Sequence, residues 1–188
     1  LSPKSILRAL EEGEFLRAAR GFLGHIFFHV NAVHLLLNLA AVIGLGAIVY
    51  REMEARTVER KSDAGTAFLA FFLISGMAAA MAFVLASPES YQPMIGSSGS
   101  AAGLAGACAW IFVTRSAVGR PRPGGVRNGL ALVFISAALI GLSIYLDTSP
   151  ISRRLFGTIS AWQAHVGGYV FGVLAYPLFE RMAGPGRR

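Results

Sequence analysis

Five stretches of this chain contain no Lys, Arg, Asp or Glu: residues 21–50, 64–88, 90–114, 128–146 and 155–179. Each is about 19 residues or longer, the length an α-helix needs to cross roughly 30 Å of hydrocarbon. Within a bilayer a helix satisfies its own backbone hydrogen bonds, so helices are the expected spans. The pattern predicts an all-α, polytopic membrane helix bundle with five transmembrane helices near 26–49, 65–86, 98–114, 128–146 and 162–179. Composition points the same way. Only 14% of the 188 residues are charged, against about 25% in an average soluble domain. Cys108 is the only cysteine, which excludes an internal disulfide and a four-cysteine zinc site. The chain reads as a single membrane domain, with an outer interfacial segment at 1–24, a helix bundle at 25–182 and a cytoplasmic tail at 183–188.

The net charge of +7 is explained by where the charges fall. The links 51–63 and 115–127 and the tail 180–188 share one side of the predicted bundle and hold 11 of the 17 basic residues. The links 87–97 and 147–160 lie opposite, with only Arg153 and Arg154. The positive-inside rule makes the first group cytoplasmic. No aromatic interleaving accompanies the arginines, so nucleic acid is not an expected partner. Residues 1–20 mix charged and apolar positions and read as a partly helical segment lying at the interface. Helices one, three and five then all start on the outer face and run inward.

Polar residues within membrane segments are costly and point to function. Helix one carries His29, His34 and Asn38, helix three opens on Gly96-Ser97-Ser98-Gly99-Ser100, and helix five carries His165. No Asp or Glu lies inside any predicted span. Ser98, His165 and His34 stand 17, 16 and 17 residues before Arg115, Arg181 and Arg51. At about 1.5 Å per residue, each sits roughly 24–26 Å from the inner boundary. Three polar groups on three like-directed helices thus share one level near the outer surface. Asn38 lies one turn deeper, on the face of His34. Small residues at Gly99, Gly103 and Gly106, and the Gly168-x-x-x-Gly172 pattern, allow helices three and five to approach closely.

A serine hydroxyl becomes a nucleophile when a base takes its proton, and a neutral imidazole is a suitable base. Ser98 and His165 would form a pair without a third acid, a reduced form of the three-residue arrangement. His34, Asn38 and the Ser98 backbone N–H, at a helix N-terminus, are candidate oxyanion donors. Each residue also has a plainer reading. Ser98 suits a helix N-cap, His165 a packing histidine, and His34 and Asn38 interhelical hydrogen bonds. His25 and His29 have metal-ligand spacing, but no carboxylate or HExxH accompanies them, so neither a metal nor a cofactor is expected.

With these residues in place, the sequence resembles the rhomboid family of intramembrane serine proteases, from about Gly21 to the last helix. The matching elements are His29-x4-His34-x3-Asn38, Gly96-Ser97-Ser98-Gly99 as the family's GxSG, and Ala164-His165-x2-Gly168-x3-Gly172. His25 matches an outer histidine that often begins the pattern. The resemblance implies that Ser98 is the nucleophile and His165 the general base. It makes His34, Asn38 and the Ser98 amide the oxyanion hole, with Gly96 and Gly99 shaping the loop. It also implies a further span ahead of Leu1. Two features depart from the family: Ala102 stands where many bacterial members carry an aromatic residue stacked on the base, and Arg20-Gly21 replaces an outer-loop Trp-Arg pair.

The implied activity is cleavage of single-span membrane proteins within or near their membrane segment, in the cell membrane, with the site open toward the outer, non-cytoplasmic face. The lipid bilayer is the other expected partner. Two other classes compete. A catalytically silent rhomboid-like binder of membrane helices would show no Ser98-dependent reaction with a fluorophosphonate. A small transporter would need ionisable residues along a path through the bundle, whereas the polar set stops about one turn below Ser98.

Overall fold

The computed structural model describes residues 2–56, 61–117, 120–151, 154 and 161–184. Arg153, all of residues 155–160 and the tail from 185 onward lie outside the described residues. The chain is a helix bundle preceded by two short helices, α1 (Pro3–Glu11) and α2 (Phe15–Gly24). A single 3-10 turn (His25–Phe27) leads to α3 (Ala32–Arg56), α4 (Lys61–Ala86), α5 (Ser98–Thr114), α6 (Gly125–Thr148) and α7 (Trp162–Ala183).

The N-terminal segment is helical for local reasons. Ser2 and Ser5 form a capping box and Pro3 occupies the first turn, where a missing N–H costs nothing. Ile6, Ala9 and Ala18 are buried against Ala80, Phe83 and Val84 of α4. The Lys4 ammonium donates to the Glu89 carboxylate at 2.7 Å, tying α1 to the link that precedes α5.

The first long helix begins at Ala32 rather than near 26, so His29 precedes it instead of lying on it. Phe28 is extended. The Asn31 side chain accepts the His34 backbone N–H at 2.8 Å, and its carbonyl accepts that of Leu35 at 3.1 Å. That is N-capping, which fixes where the helix starts. The fold is all-α as expected, with one short ribbon in a link. Arg115–Ala117 and Arg120–Pro121 pair as a short antiparallel ribbon between α5 and α6.

Among the described residues three helices are long and apolar enough to cross a membrane: Ala32–Arg56, Asp63–Ala86 and Gly125–Thr148. Helix α5 is apolar but has 17 residues. Helix α7 has 22 residues and carries Gln163 and His165 near one end and Glu180 and Arg181 near the other.

Helices α4, α5 and α7 pack on one another at the centre, α3 packs mainly on α5 and α4, and α6 rests against α5 and α7. The main core joins Val49 and Met53 of α3, Phe71 of α4, Leu104 and Ala107 of α5, and Tyr176 and Phe179 of α7. Phe71 meets the rings of Phe171, Tyr176 and Phe179 at 5.4–6.2 Å. Helix α6 buries no residue. Leu36, Leu37 and Ile43 of α3 and Val133, Phe134 and Leu142 of α6 are exposed. Apolar side chains turned outward over whole helices, around a centre lined by small residues, are the packing expected where lipid replaces water.

Candidate active site

Helices α5 and α7 meet backbone to backbone. A Cβ placed on Gly168 or Gly172 would collide with the carbonyl oxygen of Gly99 or Gly103, respectively, and one placed on Gly106 would collide with that of Tyr169. No larger side chain permits that approach, and it sets Ser98 and His165 side by side. Ser98 opens α5, and its Oγ lies 2.8 Å from His165 Nε2.

The loop ahead of Ser98 is shaped by Gly96, whose φ of +104° lies in a region that glycine tolerates and L residues avoid. The Gly96 N–H donates to the His25 carbonyl at 2.8 Å. The His25 ring nitrogen Nδ1 rests 3.2 Å from the Gly21 carbonyl. Burial pushes that imidazole below its ordinary pKa range, which favours the neutral ring.

His34 and Asn38 come to the same loop from α3. A Cβ on Gly96 would lie 2.7 Å from His34 Cε1, 2.9 Å from His34 Nε2 and 3.3 Å from Asn38 Nδ2. Asn38 is buried and donates through Nδ2 to the His34 carbonyl at 3.0 Å. An amide has two N–H donors, so this contact uses one. The Val30 N–H points to His34 Nδ1 at 3.5 Å, a contact that suits the tautomer with its proton on Nε2. His29 meets His34 edge-on at 5.2 Å between ring centres.

Ser98, His165, His34, Asn38, Gly96 and Gly99 line one cavity of about 910 Å³, together with His25. Gly168 acts from beneath, through its contact with Gly99. His29 is not part of the lining. Among the described residues no group of three or more His, Cys, Asp or Glu side chains is arranged to hold a metal ion.

One expectation is corrected. The sequence suggested a serine–histidine pair without an acid, yet His165 Nδ1 lies 2.6 Å from Asp147 Oδ2. Asp147 is the penultimate residue of α6, one position past the charge-free stretch 128–146, which is why a reading by spans passes over it. The available signal was Ser143, one turn earlier, whose Oγ donates to the same Asp147 oxygen at 3.3 Å. Residues four apart share a helix face, and both line the cavity.

The arrangement provides a hydroxyl against an imidazole, donors beside a tight loop and a cavity of about 910 Å³ that both open onto. Comparison with known families adds that residues 13–181 match the model for the Rhomboid domain. No curated protein and no solved structure matches the chain.

Proposed function

The chain belongs to the rhomboid family, and from that premise we propose that it is an intramembrane serine endopeptidase acting through Ser98 and His165. The observation that carries this reading is the 2.8 Å contact between Ser98 Oγ and His165 Nε2 inside the shared cavity. His165 Nε2 takes the Ser98 proton as Oγ attacks a peptide carbonyl. The imidazolium then gives that proton to the leaving amine, and water drawn through the same base releases the acyl group from Ser98. Negative charge on the carbonyl oxygen is met by His34 Nε2–H, an Asn38 amide N–H and the Ser98 backbone N–H.

Five transmembrane helices, α3 to α7, accompany this reading, with the cavity opening toward the outer face of the cell membrane. The basic residues of 51–63 and 115–127 support that orientation. The substrate class is single-span membrane proteins. A protease acts on an extended strand, so helix-breaking residues such as glycine near the cut lower the cost of unwinding. No metal or cofactor takes part in these steps.

The test is cleavage of a model single-span substrate in liposomes. Ser98→Ala and His165→Ala each abolish cleavage. Full activity in Ser98→Ala overturns the assignment.

A further inference from the structure

Asp147 is held where a carboxylate is disfavoured. It lies in the last turn of α6, where the helix dipole opposes negative charge. It also lies largely out of solvent, with its side chain 14% exposed, and a buried carboxylate is costly without a partner. Two contacts offset this: the hydroxyl of Ser143 at 3.3 Å and the Nδ1 side of His165 at 2.6 Å. The second is much the shorter, as a charge-assisted bond should be. The opposite nitrogen of the same ring faces Ser98 Oγ. The imidazole is therefore gripped on both nitrogens, by α5 on one side and by α6 on the other.

We propose that Asp147 is the positioning residue of the Ser98–His165 pair, accepting the Nδ1–H so that Nε2 stays free to receive the Ser98 proton. The inference rests on the hydrolase reading above and adds to it a third residue, supplied by a helix that contributes nothing to the buried core. In this chain Ala102 leaves no aromatic ring four residues after Ser98 to stack on the base, and the carboxylate supplies the orientation instead. When Ser98 gives up its proton, the new positive charge on His165 lies against the Asp147 carboxylate. The step requires no proton transfer to Asp147.

A purely structural role for Asp147 would be to hold α6 onto α7. A second polar contact also joins these two helices: Tyr169 Oη, one turn along α7 from His165, donates to Ser136 Oγ at 3.1 Å, and Ser136 itself does not line the cavity. Ser136→Ala therefore serves as the control, because it weakens the same helix pair without touching His165.

The experiment measures fluorophosphonate labelling of Ser98 and steady-state cleavage for the full chain in detergent and in liposomes. Wild type, Ser98→Ala, Asp147→Asn, Asp147→Glu and Ser136→Ala are compared. An asparagine keeps the shape but donates to Nδ1, which puts the imidazole proton on Nε2 and leaves nothing to accept from Ser98. Asp147→Asn is expected to lower kcat and the labelling rate about 10²–10⁴-fold with KM little changed. Asp147→Glu recovers part of the rate, and Ser136→Ala stays within about threefold of wild type, a span set by the modest worth of one hydrogen bond. Wild-type labelling in Asp147→Asn overturns this inference alone, as does an equal loss in Ser136→Ala. A wild-type chain that does not label at Ser98 overturns the hydrolase reading and this inference with it.

Discussion

The carbonyl oxygen of Gly99 fills the place that a Cβ on Gly168 would take, and one turn further along the Gly103 carbonyl does the same at Gly172. Ser98 immediately precedes Gly99, and His165 lies three residues before Gly168. The spacing of two helix backbones therefore sets the distance between the hydroxyl and the imidazole. A Cβ on Gly168 also comes within 3.1 Å of the Gly99 carbonyl carbon, a backbone atom that cannot swing aside.

Gly168→Ala forces α5 and α7 apart. Overpacking of this kind costs about 1–3 kcal/mol, and small displacements at a reacting centre cost rate steeply. We expect a lower thermal midpoint in detergent and a loss of more than about tenfold in cleavage. A variant with the stability and rate of wild type would contradict the role given to this contact.

Gly96→Ala acts on the loop rather than the helices. At a φ of +104° a side chain adds about 1–2 kcal/mol of strain, and its Cβ intrudes 2.7 Å from the His34 ring. Most of the activity should disappear while the helical circular dichroism is retained. Normal turnover in Gly96→Ala would show that the loop does not set the oxyanion donors.

Asn38→Ala removes a buried amide beside the same loop. Loss of one oxyanion donor lowers kcat about 10²–10³-fold with little effect on KM. His29→Ala should cost far less, because the His29 ring touches His34 and does not line the cavity. Equal losses in the two variants would place the oxyanion donors elsewhere.

At the other end of α5 and α7, Arg115 Nη2 donates to both oxygens of the Glu180 carboxylate at 2.6 Å. Arg56 Nε approaches that carboxylate at 3.2 Å, and Glu180 is buried. Replacing Glu180 by Gln removes one of the carboxylates facing the partly buried Arg115 and Arg56, leaving Glu52 at 4.0 Å from Arg115 as a counter-charge; breaking a buried pair in this way costs up to about 3–5 kcal/mol. Thermal unfolding should show the loss. Labelling of Ser98 per folded molecule should be unchanged, because the cluster lies more than four helical turns from Ser98 along α5, and a fall in labelling would tie the cluster to the site.

How far the sequence carries can be judged from single residues. The stretch 98–114 coincides with α5, because the glycine turn before Ser98 and the basic residue after Thr114 are both local marks. The start of α3 was missed by six residues. The apolar run from Ile26 looks helical, while the Asn31 cap that decides the matter is one polar side chain acting on a backbone N–H. Asp147 is inconspicuous in the sequence for a different reason. It lies just outside a span by composition, and its importance comes from His165, a residue 18 positions later on another helix.

The sequence by itself determined the apolar segments and the family pattern in which Ser98, His165 and Asn38 stand. Those depend on hydrophobic length, local turn chemistry and motif spacing, all written along one dimension. The tertiary structure alone decided which face of each helix meets which. It set the Gly99–Gly168 contact that brings Ser98 to His165, the pairing of Glu180 with Arg115, and the approach of Asp147 to His165 Nδ1. Those contacts join residues on different helices, and their geometry depends on how closely the backbones pack, which linear spacing does not specify.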